Sequence, residues 1–253
     1  MTTSASRYPH APIVEVVCGV QFGPLRWRSI DFGRLADTPA FAARFREYQD
    51  RAPMPPETAG IVLQLGEPVP DHRRVMYIEP GANRLVQVQP DRFLANWRRV
   101  QPADKCPSFG PTFQFFKDAL AAFSEYAATA GRGAVTPTGY ELTYINHVPL
   151  DGDPMAPFEL RLAGAESRVS GGALMLDVPF PQDAGVLHLN IQSPVQRLPD
   201  MAKLAFFELT SKTSARGADM DAWFNQAHAM ANQVFDEVTT EDYKRKWREA
   251  WPR

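Results

Sequence analysis

At 253 residues, with 44% hydrophobic and 22% charged side chains, the chain has apolar material for one large globular domain or two modest halves. Its net charge of −2 argues against a bulk electrostatic attraction to nucleic acid or to an anionic membrane, and leaves only local patches to weigh. Two distant cysteines, Cys18 and Cys106, with no CxxC or Cys/His cluster, argue against a disulfide framework or a zinc centre and fit reduced thiols.

The polar start, MTTSASRYPHAP, has no apolar leader region, and no later stretch approaches the roughly 18 apolar residues of a membrane span, so the reading is cytoplasmic. Twenty-three prolines punctuate the chain, each fixing φ and removing a backbone donor. The segment 12–22 is a β-branched run. Val14, Val16, Cys18, Val20 and Phe22 form an apolar face, and Ile13, Glu15, Val17, Gly19 and Gln21 lie on the other. Asp31 is placed as a helix cap. Phe32, Leu35, Phe41, Phe45 and Tyr48 recur at helical spacing behind it, with Pro39 breaking the helix in two. After a proline-rich loop at 52–60, strands are expected at 61–67, 73–79 and 84–89, with a turn at 80–83. A surface helix comes next at 111–131, with Phe113, Phe116, Leu120 and Phe123 on one stripe and a glycine at its end.

A similar order returns in the second half: strands at 138–148, 158–163, 173–178, 186–193 and 203–212, then a helix from Asp219 to Val238. Residues 1–134 and 135–253 are therefore read as two comparable halves, an internal duplication that can also form one continuous domain. Runs of strands followed by helices, without βαβ alternation, give an α+β class with a mainly antiparallel sheet backed by long helices, the halves forming one curved sheet. The closing segment 239–251 reads as a short helix with a capping-box-like start at Thr239 or Thr240. Its Lys244, Arg245, Lys246 and Arg248 are compensated by Glu241, Asp242 and Glu249.

If helices cover the apolar face, the opposite face carries Glu15, Gln21, Gln87, Gln89, His188, Asn190 and Gln192. The simple reading is a sheet face open to water. The sharper one notes short amides and imidazoles where lysine and glutamate usually stand. The densest chemistry is in segment 90–99, where Arg92, Asn96, Trp97, Arg98 and Arg99 suit an anion or a stacked ring. Segment 140–150 adds Glu141, Tyr144, Asn146 and His147. Glu141 and His147 share a strand face but sit roughly 20 Å apart, so acid–base work needs a partner from another strand, with His188 as the candidate. The candidate binding residues are thus Gln87, Gln89, Arg92, Asn96, Trp97, Arg98, Tyr144, Asn146, His147, His188 and Asn190.

No GxxxxGK[ST], GxGxxG, HExxH, GxSxG or EF-hand loop is present, which removes the common nucleotide, protease, hydrolase and calcium signatures. Asp151-Gly152-Asp153 reads as a turn, and the Gly131-Arg132-Gly133 run as a helix exit. Taken together, APIVEVVCGVQF, LVQVQPDRFLANWRR, GYELTYINHV and VFDEVTTEDYKRKW resemble a sporadically distributed family of uncharacterised prokaryotic proteins of similar size. The resemblance runs nearly end to end and implies a domain extent and a bacterial setting, but no role for any residue.

The function expected is that of a non-enzymatic binding protein. Its amide-rich sheet face recognises a protein partner or a small polar ligand, with no cofactor, metal or membrane association. One alternative is a hydrolase using Glu141, His147 and His188. Another is a single-stranded nucleic-acid or nucleotide binder through Arg92, Trp97, Arg98 and Arg99. Edge strands that need covering also point to a twofold homodimer.

Overall fold

In the computed structural model the described residues are 8–54, 73–159, 171–197, 201–213 and 218–249. The chain begins with β1 (Ile13–Phe22), α1 (Ser29–Ala36), α2 (Pro39–Ala42), β2 (Glu47–Arg51), β3 (Arg74–Ile78), β4 (Arg84–Gln89), β5 (Arg92–Arg98) and α3 (Phe109–Thr129). It continues with β6 (Pro137–Pro149), β7 (Gly172–Pro179), β8 (Val186–Arg197), β9 (Ala202–Thr213), α4 (Met220–Val238) and α5 (Glu241–Arg248). The nine strands form one sheet in the order β2-β3-β4-β5-β1-β6-β9-β8-β7, antiparallel throughout. The sheet is open, ending at β2 and β7, and the fold is α+β.

Alternation along each strand sends one set of side chains to the helices and the other to the opposite face. Val16, Cys18 and Val20 of β1 pair with Trp97, Ala95 and Phe93 of β5 and with Tyr144, Leu142 and Tyr140 of β6. All of these lie in the core. Helix α3 lies on β5 and β1, and α4 lies on β6, β9 and β8. Rings fill the space between: Phe93 stacks on Phe123 (centroids 5.2 Å apart), Phe113 meets Phe224 at 4.7 Å, and Phe207 stacks on Phe235 at 5.6 Å. Truncating any one of these phenylalanines to alanine removes about 3–5 kcal/mol of stability. The β1–β6 seam places the two meanders on either side of the sheet centre, each followed by a long helix on the same face.

Several local expectations are corrected. Tyr48 belongs to β2, where it pairs with Tyr77, not to a helix. Helix α2 spans only four residues from Pro39, and the edge of β3 offers the following segment a ladder of backbone hydrogen bonds. Asp31 sits in the first turn of α1 rather than at its cap. Its carboxylate accepts from the Arg28 backbone N–H (2.7 Å) and pairs with Arg132 (3.0 Å) while fully buried. A β-bulge between Ile13 and Glu15 turns Ile13 onto the helix face, where it joins the core. Thr240 caps α5 without a side-chain hydrogen bond to it; its hydroxyl donates to the Ala156 carbonyl instead.

The strand expected at 61–67 lies outside the described residues, as does most of 158–163, of which Phe158 forms an isolated bridge with Thr239. Asp151–Asp153 is a turn, with Gly152 at φ +116°, and Asp151 pairs with Lys246.

Candidate functional site

The alternating polar residues do share a face. From β1, β4, β5 and β8 they emerge opposite α3 and α4, as the registers Glu15–Arg98, Gln21–Arg92, Gln87–Leu94 and Asn190–Glu208 require. In the N-terminal half of this face the side chains are spent on one another. Arg74 donates to Gln87 Oε1 (3.1 Å), Gln87 Nε2 donates to Asn96 Oδ1 (3.0 Å), and Asn96 Nδ2 donates to Glu15 Oε1 (2.6 Å). This row crosses β3, β4, β5 and β1. Gln87 is 9% exposed and Asn96 only 1%. Burial raises the Glu15 carboxyl above its ordinary range, opposed by the Asn96 hydrogen bond and the Arg98 charge. Gln89 binds as a peptide would, accepting from the Met54 N–H (2.9 Å) and donating to the Met54 carbonyl (3.1 Å). Arg92 is buried beside Asp91, with their charged groups 3.6 Å apart.

Segment 92–99 divides between the faces because a strand alternates every residue. Asn96 and Arg98 point to the polar face, and Trp97 points to the helix side, 4% exposed. Arg98 donates to the Ala82 carbonyl (2.8 Å) and Arg99 to the Ala11 carbonyl (3.2 Å). Arg92 and Arg98 lie at opposite ends of β5, roughly 20 Å apart. The structure therefore does not gather Arg92, Trp97, Arg98 and Arg99 into one surface.

Tyr144 and Asn146 are likewise on the helix side and buried, with Asn146 Nδ2 donating to the Phe207 carbonyl (3.1 Å). His147 and His188 share the polar face but not a site. His147 pairs with Phe206, which pairs with Gln192, four residues from His188 on β8. That spacing separates the two histidines by roughly 16 Å, and Glu141 stands roughly 12 Å from His188. Burial, with Arg197 nearby, lowers the affinity of His147 for a proton. His188 Nδ1 lies 2.7 Å from Asp177 Oδ1.

The C-terminal half of the face is the accessible half. Thr143 and Thr210 bridge β6 and β9 by their hydroxyls (3.0 Å), and Lys212 lies 3.7 Å from Glu141. Around them His188, Asn190, Glu208, Ile145 and Phe206 are half-buried, and Gln192 is exposed. Met175 on β7 is 77% exposed.

Two features were not legible in the sequence. His228 on α4 stacks on Phe109 (4.3 Å, 8° between planes) and is hydrogen-bonded on both ring nitrogens, to the Tyr144 hydroxyl (2.7 Å) and to Asn232 Nδ2 (3.1 Å). Burial drops its pKa to about 4. Cys106 borders the same void of about 10 Å³, room for one water at most, and burial pushes its thiol up to about 12. With a neutral imidazole and an un-ionised thiol at pH 7, this cluster is a packing knot between α3, α4 and β6, not a nucleophile with its base. The sequence carries only the helical spacing of His228 and Asn232, which does not name a partner.

The second feature is a cleft of about 370 Å³ on the helix side, lined by Glu79, Asn83, Arg84, Trp97, Asp104 and Lys105 with flanking prolines. It collects residues from the β3–β4 turn, β5 and the loop before α3.

Among the described residues no group of three or more His, Cys, Asp or Glu side chains is placed to hold a metal ion. No helix among them is long and apolar enough to cross a membrane. Fold and surfaces together define an α+β protein with a helix-backed antiparallel sheet and a polar outer face. Compared with known proteins, the chain matches no family model. No curated protein matches it either.

Proposed function

We propose that this is a non-enzymatic binding protein that recognises a protein partner through the C-terminal half of its polar sheet face, on β6, β9, β8 and β7. The observation that carries the reading is the contrast between the halves. Gln87 and Asn96 are buried in a closed hydrogen-bonded row, whereas His188, Asn190, Gln192 and Met175 remain accessible. Half-buried Phe206 and Ile145 lie among the polar groups, the mixture of apolar anchors and amides common in protein interfaces. Glu141, Glu208 and Asp177 outnumber Lys212 and Arg197 on this face, which works against a phosphate backbone and so against nucleic acid. The hydrolase alternative is not favoured, because its two histidines are roughly 16 Å apart on the register.

The same reading includes a twofold homodimer through the edge of β7, a bacterial cytoplasmic setting that suits two free cysteines, and an origin by internal duplication. The duplication is supported by order: β3-β4-β5-β1 with α3 on one side of the seam matches β7-β8-β9-β6 with α4 on the other.

A photo-crosslinking residue placed at Gln192, compared with one at exposed Gln114 on α3, tests the face in the native host. The expected result is a discrete protein adduct from position 192 alone, lost when Phe206→Asp is added. Identical adducts from both positions, or none from position 192, would sink the reading.

A further inference from the structure

The geometry points to a second binding site, the cleft beside Trp97, which takes a small anion with a flat body, of the size and chemistry of a nucleoside monophosphate. Its volume of about 370 Å³ lies within the range of small-molecule pockets. Its lining holds two carboxylates, Glu79 and Asp104, and two cations, Arg84 and Lys105, and both carboxylates are already engaged. Arg44 lies over the Phe115 ring (4.2 Å) and Arg84 lies over the same ring (5.5 Å), so two guanidinium groups share one aromatic platform. Of the two carboxylates in the lining, Glu79 is taken by a short hydrogen bond from Nε of Arg44, a residue outside the lining. Asp104 is taken as well, accepting from Asn83 Nδ2 (2.7 Å) and from the backbone N–H groups of Val100 (2.9 Å) and Gln101 (2.6 Å). These three bonds hold its carboxyl below the ordinary range, with the Gln101 N–H contributing most.

Arg84 and Lys105 are left facing the cleft without a carboxylate partner among the described residues. A guanidinium and an ammonium converging on one space are the usual recognition elements for a phosphate, the first by a fork and the second as a point charge. Trp97, Pro80 and Pro107 belong to the same lining and give a ring something apolar to lie against. The bonds to Glu79 and Asp104 use Oε1 and Oδ2, so each carboxylate has a second oxygen to accept from ribose hydroxyls. The site is on the helix side of the sheet, so it stands or falls independently of the partner surface on the polar face.

Isothermal titration of the full chain with AMP, GMP, CMP and UMP, alongside inorganic phosphate, tests it. Saturable binding of at least one nucleotide is expected, tighter than phosphate and weakening as salt rises. Lys105→Gln, at an exposed position, and Arg84→Gln should each reduce affinity about tenfold, the loss of one charge-assisted contact. Arg245→Gln on α5 should change nothing. Lys105→Gln leaves the fold unburdened, so its result stands even if Arg84→Gln loosens the sheet. No saturable binding of any nucleotide at millimolar concentration, equal binding of phosphate, or unchanged affinity in Lys105→Gln overturns the assignment.

Discussion

Asn96 and Trp97 are neighbours in sequence and face opposite directions, and that one-residue alternation decides which chemistry can act together. The segment was legible as polar and aromatic, but pairing its tryptophan with its own arginines ignored the period of two. Trp97 instead shares a cleft with Arg84 and Lys105, thirteen residues before it and eight after.

His228 shows the same limit, since its partners Tyr144 and Phe109 are far away in the chain. Its buried, neutral ring carries a pH consequence. The unfolded chain protonates this histidine below about pH 6.5, whereas the folded protein resists until about 4. The stability it contributes is therefore complete above about 6.5 and is lost as pH falls towards 4, by at most about 3.5 kcal/mol at about 1.4 kcal/mol per unit. Urea unfolding across that window checks this. His228→Gln should be less stable at pH 7, for want of the Phe109 stack, yet should lose less stability on acidification. An acid limb as steep as the wild type's would count against the assignment.

At the scale of elements, β-branched runs and proline punctuation located most of the described strands within a few residues, but the expected strands included neither β5 nor β2. Strand β2 shows why. Glu47–Arg51 has no apolar alternation of its own and is a strand because the edge of β3 is there to pair with it. The opposite edge, β7, is apolar, with Met175 77% and Leu176 46% exposed and Asp177 its single charge. An exposed edge with so little charge invites another strand, and the homodimer proposed above places a second β7 there antiparallel to the first. Light scattering should then show a dimer for the wild type and a monomer for Leu176→Lys. A wild-type monomer at micromolar concentration, or a dimer that survives the substitution, removes the edge as the interface.

For the whole molecule, the boundary near residue 134 separates two meanders in sequence but not in space. Strands β1 and β6 pair along most of their length at the centre of the sheet, burying Cys18, Val20, Leu142 and Tyr140. Cutting there exposes a central strand on each side along with its apolar face. Fragments 1–134 and 135–253, expressed separately, should lack a native-like dispersed NMR spectrum, and the intact chain should unfold in one cooperative transition. A folded monomeric fragment would show that the halves are independent.

The sequence by itself determined the class, the helix-backed antiparallel sheet and the face on which Gln21, Gln87, Gln89, Asn190 and Gln192 would stand, though not that of Asn146. Those properties follow from local periodicity, which every strand and helix carries within itself. Only the tertiary structure decided that Gln87 and Asn96 are consumed in a buried row with Glu15, that His147 and His188 lie far apart, and that Trp97 meets Arg84 and Lys105. Strand order and register are set by long-range pairing and burial, which a single strand's pattern does not encode.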